Sequence, residues 1–199
     1  CGNSYFRIFW DNAYAVHHLT KSPPKLSNIR DQCKKHGTDD RVFIFGSTSK
    51  ITFAGGGVSA VAMSKQNADW YLRGLQAQTI GPDKLNQLRH VLFLRDMDRI
   101  CAHMERHRQI LVPKFDAVYE ALWDRFGFGS GILNWTEPRG GYFIDLDVKP
   151  GCAKRVVQLA GDAGVKLTPA GATFPHGIDP EDKNIRIAPS FPSVNEVHM

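Results

Sequence analysis

The stretch FGSTSKITFAGGG, from Phe45 to Gly57, places one lysine after a run of small hydroxyl residues and before three consecutive glycines. Three roles for Lys50 suit such surroundings: binding a phosphate, acting as a nucleophile, or serving as an ordinary surface lysine. A phosphate-binding Walker loop needs its glycines before the lysine and a Ser or Thr after it. Here that order is reversed, so the phosphate-loop interpretation fails.

Runs of aromatic and β-branched residues around this stretch predict the sheet that carries it. YFRIFW (5–10) and RVFIF (41–45) are predicted to be buried parallel strands, because a helical segment, LSNIRDQCKKHG (26–37), lies between them. GVSAVAMS (57–64) predicts another buried strand. The carboxyl ends of strands form the ligand crevice of an open α/β sheet, so polar groups at these ends are expected to share one site.

The side chains at these strand ends suit one cofactor. A desolvated lysine can form a Schiff base with a carbonyl, and pyridoxal phosphate (PLP) uses such a lysine together with an acid at its pyridine nitrogen. Asp11 would keep that nitrogen protonated, and Tyr14 would hydrogen-bond the ring oxygen. Ser47 and Ser49 are expected to bind the phosphate. The glycines after Lys50 would let the main chain pack closely beside the cofactor.

Helical patterns dominate the middle of the chain. SKQNADWYLRGLQAQ is predicted to be a helix with Ser64 as its N-cap, and IGPDK interrupts before a long amphipathic stretch. Pro113 is expected to kink or divide that stretch. Its first part carries an apolar stripe formed by Leu85, Leu88, Val91, Leu92 and Leu94.

Strand patterns return towards the end of the chain and complete the predicted architecture. The predicted strands are GILNWT, GYFIDLDV, VKLTPA and NIRIAPS, and a helix, CAKRVVQLAGDAG, follows the second of them. The order of elements predicts an α/β fold: a mostly parallel sheet over residues 1–95, then a long helix and a small α+β domain over residues 96–199.

Two downstream features have possible chemical roles. NIRIAPSFP places Arg186 on a short strand, and arginine suits bidentate binding of a carboxylate. HMERH places His103 and His107 at i and i+4 on one helix face, a spacing that could bind zinc. The glutamate is at the wrong offset for the H-E-x-x-H motif and no third ligand is apparent, so we predict no metal and interpret both as exposed histidines.

Composition narrows the class of protein. The chain has 199 residues, of which 42% are hydrophobic and 23% charged, as in ordinary globular proteins. The net charge of +5 is spread along the chain, so nucleic-acid binding is not expected. No apolar run approaches the roughly 20 residues that span a bilayer, so no membrane association is expected. The four cysteines are far apart, which indicates a reducing compartment, and we predict a cytoplasmic protein.

Four motifs in order, DNAY, STSK with its glycines, PRGGYF and NIRIAPS, resemble the second half of a fold-type-I PLP-dependent aminotransferase. The resemblance covers essentially the whole chain and is greatest to the MocR-like branch of class I aminotransferases, which includes aspartate aminotransferases. It implies that Lys50 binds PLP covalently and shuttles the substrate proton. It also implies that Asp11 pairs with the pyridine nitrogen and Tyr14 with the ring oxygen. Ser47 would lie at the phosphate, and Arg186 would bind the substrate α-carboxylate.

The resemblance further implies the substrates and the assembly. We expect transfer of an amino group from an aspartate-like amino acid to a 2-oxo acid, in a homodimer with active sites at the subunit interface. Two departures from the family stand out. Val58 occupies the position, eight residues after Lys50, where many relatives carry a phosphate-binding arginine. The family's amino-terminal half is absent, and the chain opens at Cys1 almost directly into a strand, so we expect a C-terminal fragment.

Other functions stay open at this point. In some MocR-type transcription regulators an aminotransferase-like domain is fused to a DNA-binding module and senses an effector without catalysis. A winged-helix segment upstream would favour that sensor, whereas a glycine-rich strand-turn-helix followed by an aromatic residue would favour an enzyme. A PLP lyase or decarboxylase on the same fold is a further alternative, because the reaction type depends on details of the substrate pocket.

Overall fold

A computed structural model describes residues 5–127, 129 and 131–198, and their contacts divide the chain into two units. The first unit contains the described residues of Cys1–Val16 and Pro24–Met104. The second contains His17–Pro23 and the described residues of Glu105–Met199. Groups of contacting residues are not necessarily folding domains, so the domain boundary between residues 95 and 96 stays a prediction.

The first unit is built on a three-stranded sheet. Strands β1 (Ile8–Asp11) and β2 (Val42–Ser47) are parallel neighbours, with helix α1 (Ile29–Lys35) between them in the chain. This confirms the predicted strand–helix–strand unit. Strand β3 (Ser59–Ala62) pairs with β2 in the antiparallel direction. Because β1 and β2 run the same way, their carboxyl ends meet at one edge of the sheet, where β3 begins.

The strands of this sheet are less buried than the sequence predicts. The residues of β1 and β3 are mostly exposed, and the side chain of Phe9 in β1 is 69% exposed even though its ring stacks on Phe43. A strand is buried on both faces only where other layers cover both faces. The prediction of buried strands is therefore wrong for β1 and β3, while β2, in the middle of the sheet, is half-buried beyond its buried first residue.

Polar side chains cap the helices of the first unit. The hydroxyl of Ser64 accepts a main-chain N–H at the start of α2 (Lys65–Gln78), which confirms the predicted N-cap. The carboxylate of Asp83 caps α3 (Lys84–Leu94) in the same way by accepting from the amide of Asn86. The predicted interruption between the two helices is therefore present.

The apolar stripe predicted on α3 is buried only at its end. Leu94 packs with Ile51 and Met104 in the small core of the first unit. The rest of the stripe is exposed to solvent in this chain, at Leu85, Leu88, Val91 and Leu92. Contiguous exposed apolar side chains are typical of a surface that binds another protein surface.

Helix α4 (Met97–Phe126) runs through Pro113 without a break, so the proline does not divide it. A proline removes one main-chain hydrogen bond from a helix interior. Side-chain packing on both sides of the proline supports the helix, through Met104 before it and Phe115 after it. Neither α4 nor any other helix of the described chain is long and apolar enough to cross a membrane.

The second unit contains a three-stranded antiparallel sheet, in the order β4 (Asn134–Trp135), β5 (Ile144–Asp147) and β6 (Asn184–Ile187). Helices α5 (Ala153–Asp162) and α6 (Val194–Val197) accompany it. Its core includes Phe115, Trp135, Ile144, Leu146 and Ile185.

Three of the four strands predicted for this part of the chain are confirmed. The predicted strand VKLTPA is wrong: residues 165–170 form no strand, and Pro169 cannot donate a main-chain hydrogen bond to a sheet. An α/β unit followed by an antiparallel α+β unit agrees with the predicted fold class.

Candidate active site

The polar residues of the first unit gather at the carboxyl edge of its sheet. Asp11 ends β1 opposite Phe45, and the amide of Asn12 extends the pairing by donating to the Phe45 carbonyl at 2.8 Å. Ser47 ends β2 at the same edge. The expectation that parallel strand ends bring Asp11 and the STSK segment to one edge is thus met by the strand register.

A tight turn follows β1 and carries Tyr14. The Asp11 carboxylate accepts a hydrogen bond from the amide of Ala13 at 3.1 Å, which fixes the start of the turn. The side chain of Tyr14 is 36% exposed, and Asp11 is also exposed. Both side chains are therefore accessible to a ligand.

A second turn carries Lys50 away from β2. The carbonyl of Thr48 accepts hydrogen bonds from the amides of Ile51 at 2.9 Å and Thr52 at 2.8 Å, which closes a turn that contains Lys50. The lysine itself is exposed, whereas we expected a lysine desolvated at the base of a cleft. The described residues of this chain do not shield Lys50 from water, so that expectation is not met here.

The two serines before Lys50 form a pair. Their hydroxyl oxygens are 2.8 Å apart, and the amide of Ser49 donates to the Ser47 hydroxyl at 3.1 Å. Both residues are half-buried. One hydroxyl donates to the other, so the pair in this arrangement leaves one hydroxyl hydrogen for an anion such as a phosphate.

Thr48 and Val58 hold the two ends of the loop together, a role that sequence reasoning missed. The Thr48 amide donates to the Val58 carbonyl at 2.9 Å, and the Val58 amide donates to the Thr48 hydroxyl at 2.8 Å. The loop therefore uses the main chain of Val58, the position at which the family resemblance leads us to expect a phosphate-binding arginine. No sequence signal distinguishes Thr48 from the neighbouring serines.

The glycines of the loop pack against the protein itself. A Cβ atom on Gly57 would lie 2.6 Å from the Ser49 hydroxyl and 2.8 Å from the Ser49 amide nitrogen. Gly55 adopts a φ of +79°, which non-glycine residues rarely tolerate. The observed close approach is between Gly57 and Ser49, and a close approach of these glycines to the cofactor stays a prediction.

Replacing Gly57 by alanine is therefore expected to displace the turn that carries Ser49 and Lys50. Overpacking of this kind costs about 1–3 kcal/mol of unfolding free energy. Urea unfolding measures that loss. Gly74→Ala is the control, because open space surrounds Gly74 within α2 and the change should stabilise the helix by up to about 1 kcal/mol. A Gly57→Ala protein as stable as the parent would contradict the close packing.

Arg186 lies on β6, in the second unit. Its Nε donates to the Thr168 hydroxyl at 3.3 Å, and its guanidinium carbon is 4.5 Å from the centre of the Phe143 ring. These contacts hold the side chain from two sides while it stays half-buried. The remaining guanidinium donors are suited to a carboxylate.

The glycines of PRGGYF also pack against the main chain. The amide of Gly141 donates to the His17 carbonyl at 2.8 Å, and a Cβ atom on Gly140 would lie 2.8 Å from the same oxygen. The contact with residues 17 and 18, which includes a β-bridge between His18 and Gly140, thus requires a glycine at position 140, whereas Gly141 is favoured by its φ of +88°.

The histidines of α4 differ from their predicted state. His103 and His107 are half-buried, so their interpretation as exposed surface histidines is wrong. The Nε2–H of His103 donates to the carbonyl of Ile51 at 2.8 Å, directly after Lys50. A contact between residues 52 positions apart leaves no trace in local sequence patterns.

The donor set at the sheet edge fits PLP. It contains a carboxylate (Asp11), a phenol (Tyr14), two hydroxyls (Ser47 and Ser49) and an amine (Lys50). The carboxylate suits the pyridine nitrogen of PLP, and the phenol suits its ring oxygen. The hydroxyls suit its phosphate, and the amine suits its aldehyde. Because Gly57 has no Cβ atom, no side chain of residue 57 covers the hydroxyl of Ser49.

Comparisons with known proteins agree with this chemistry. A sequence profile described as "Aspartate amino-transferase" matches residues 2–199. A Mycolicibacterium smegmatis protein named as an aminotransferase is 53% identical over 192 residues, which are 96% of this chain and 45% of that protein. An aspartate aminotransferase of Corynebacterium glutamicum is 46% identical over 194 residues, covering 98% of this chain and 45% of that protein. The chain therefore spans about half the length of these relatives.

Solved structures show the same fold. The crystal structure of an aspartate transaminase from Corynebacterium glutamicum superposes with a TM-score of 0.93 at 47% identity, covering 97% of this chain and 45% of that one. LysN, an α-aminoadipate aminotransferase from Thermus thermophilus complexed with N-(5'-phosphopyridoxyl)-L-leucine, gives 0.76 at 20% identity, covering 96% and 47%. The second likeness concerns the fold alone.

Proposed function

Because the chain belongs to the aspartate aminotransferase family, we propose that it carries the cofactor-binding lysine and the carboxylate-binding arginine of a PLP-dependent transaminase. The observation that carries this proposal is the edge of the first sheet. There the register of two parallel strands brings Asp11 and the STSK turn to one edge, and Lys50 lies within that turn.

Each residue of the site has a proposed task. PLP, when bound, supplies a ring that accepts the electron pair left at the substrate Cα after deprotonation. Lys50 would bind the cofactor's aldehyde carbon through Nζ, and its amine would move the substrate proton. Asp11 would keep the pyridine nitrogen protonated, and the Tyr14 hydroxyl would donate to the ring oxygen. Ser47 and Ser49 would donate hydrogen bonds to the phosphate.

Arg186 is proposed to fix the substrate through its α-carboxylate. Its contacts with Thr168 and Phe143 already restrict the side chain, so less side-chain entropy is lost when a substrate binds. A fixed carboxylate holds the Cα–H bond in a defined direction, which is a positioning contribution to catalysis. No residue is assigned to a second, side-chain carboxylate.

We propose that the amino-group donor is an aspartate-like amino acid and that the acceptor is a 2-oxo acid. The names of the relatives support this choice. A homodimer is proposed as the assembly, supported by the exposed apolar side chains of α3. A cytoplasmic location is supported by the free thiols of Cys33, Cys101 and Cys152. The comparisons give the sensor of a MocR-type regulator no support and do not single out the MocR-like branch.

Product analysis tests the proposal on the full-length protein that carries this chain. With PLP, L-aspartate and 2-oxoglutarate, we expect oxaloacetate and glutamate in equal amounts. A lyase or decarboxylase would release product without any 2-oxo acid, and a sensor would bind the amino acid without turnover. Either of those results, or no transfer from a panel of amino acids, would contradict a transaminase.

A further inference from the structure

We propose that His103, assisted by His90, is a positioning residue for Lys50: the two histidines hold, from α4 and α3, the two residues that follow the lysine. This inference rests on the proposed function, since it assigns a role in placing the Lys50 amine. Neither histidine is a catalytic residue in this proposal, because both act through the main chain of the turn.

The carbonyl of Ile51 is the first point of attachment. Ile51 is 9% exposed and packs with Leu94 and Met104, so the residue is largely shielded from water. A buried carbonyl without a donor is destabilising. The Nε2–H of His103 supplies that donor at 2.8 Å. The carbonyl of the residue next to Lys50 is thus hydrogen-bonded by one side chain of α4.

The ring of His103 is held in turn by its neighbours. It packs edge-to-face against Phe93, with ring centres 5.2 Å apart and planes at 82°. The carbonyl of Ile51 can only accept, so the proton on Nε2 is required in every ionisation state of the ring. The contact with Phe93 therefore orients the ring of His103, and the Ile51 carbonyl keeps a proton on its Nε2.

The side chain of Thr52 is the second point of attachment. His90, which is 9% exposed, donates from Nδ1 to the Asn86 carbonyl at 2.9 Å. Its Nε2 lies 3.2 Å from the Thr52 hydroxyl, which is also 3.1 Å from the Thr48 carbonyl. Thr52 is consequently held between α3 and the start of its own turn.

Helix α3 also contacts the loop near its other end, at Gly56. The Nδ2 group of Asn86 donates to the carbonyl of Gly56 at 3.0 Å. Side chains of α3 and α4 thus bond to the loop at Ile51, Thr52 and Gly56, while Lys50 stays exposed. This arrangement fixes the main chain on one side of the turn and leaves the amine accessible. A small displacement of a reacting group can cost on the order of 100-fold in rate.

The decisive comparison is between His103→Leu and His103→Gln. Leucine fills a similar volume without a donor, whereas the glutamine amide nitrogen can reach the position of Nε2 and donate to Ile51. In the full-length protein carrying this chain, we expect His103→Leu to raise amide hydrogen exchange at Ile51 and Thr52 roughly tenfold or more. We expect kcat to fall roughly 10- to 100-fold with KM changed less than about twofold. His103→Gln should restore most of both properties.

A third readout reports on the amine itself. The visible absorbance band of PLP bound to Lys50 should titrate at a different pH in His103→Leu and at the parental pH in His103→Gln. A histidine that only packed would not move this titration. His36→Leu is the control, because His36 is exposed at the end of α1. It should leave exchange, kcat and titration unchanged.

Two results would overturn the inference. One is parental exchange and titration in His103→Leu, and the other is a His103→Gln protein as impaired as His103→Leu. If His103→Leu does not fold, Thr52→Val removes the hydroxyl contacting His90 at nearly constant volume, and unchanged exchange at Thr52 and an unchanged band would then overturn it. If the parent protein binds no PLP at Lys50, the proposed function fails, and the exchange measurement still decides whether the histidines hold the turn.

Discussion

Lys50→Ala is expected to abolish covalent attachment of PLP and to slow amino transfer. The loss should reach at least the roughly 10²- to 10⁴-fold that a positioned acid–base group contributes, because the variant also lacks the attachment point. Lys50 is exposed on a turn whose main-chain bonds involve Thr48, so the substitution should leave folding intact. Steady-state kinetics and the visible absorbance of bound PLP measure the two effects.

Lys65→Ala serves as the matched control. Lys65 is an exposed lysine at the start of α2 that pairs with Asp69, and such surface pairs contribute little. The control protein should keep parental kinetics and absorbance. A Lys50→Ala protein with more than about one tenth of parental kcat would contradict the assigned role, since that loss is far below the expected range.

The second large effect is expected for Asp11→Asn. The amide oxygen can still accept the hydrogen bond from Ala13, so the substitution removes the negative charge and little else. A neighbouring opposite charge shifts a pKa by about 1–3 units, so the pKa of the pyridine nitrogen should fall by that amount and amino transfer by about 10- to 1,000-fold. Measured kcat and the pH dependence of the PLP absorbance test this expectation.

Asp69→Asn is the control for that charge. Asp69 is exposed on α2 and lies outside the sheet edge, so its neutralisation should leave kcat unchanged. If Asp11→Asn were as active as the parent, Asp11 would not be the partner of the pyridine nitrogen. Retained PLP binding with low kcat is the expected pattern, because Lys50 still supplies the covalent attachment.

The parts of the site predicted from sequence are those fixed by local patterns and by strand direction. Two short apolar runs separated by a helix predict parallel neighbours, and parallel neighbours bring Asp11 and Ser47 to one edge. The cap at Ser64 is likewise a local signal. These features could be found because each depends on residues close together in the chain.

The parts that sequence reasoning missed depend on contacts between distant residues. The bond from His103 to Ile51 joins α4 to the loop after Lys50, and neither residue type is unusual at its position. The contact of Gly57 with Ser49 was missed for a related reason: Ser49 becomes its close neighbour only once the loop closes through Thr48 and Val58. The antiparallel direction of β3 also follows from that closure.

Borohydride reduction of the full-length protein carrying this chain, in the presence of PLP, tests most directly whether Lys50 binds the cofactor, with the adduct mapped by mass spectrometry. We expect one pyridoxyl adduct, confined to the peptide that contains Lys50, and no adduct there in Lys50→Ala. A protein without an adduct at Lys50, or with label spread evenly over several lysines, would contradict the central claim that this turn carries the cofactor.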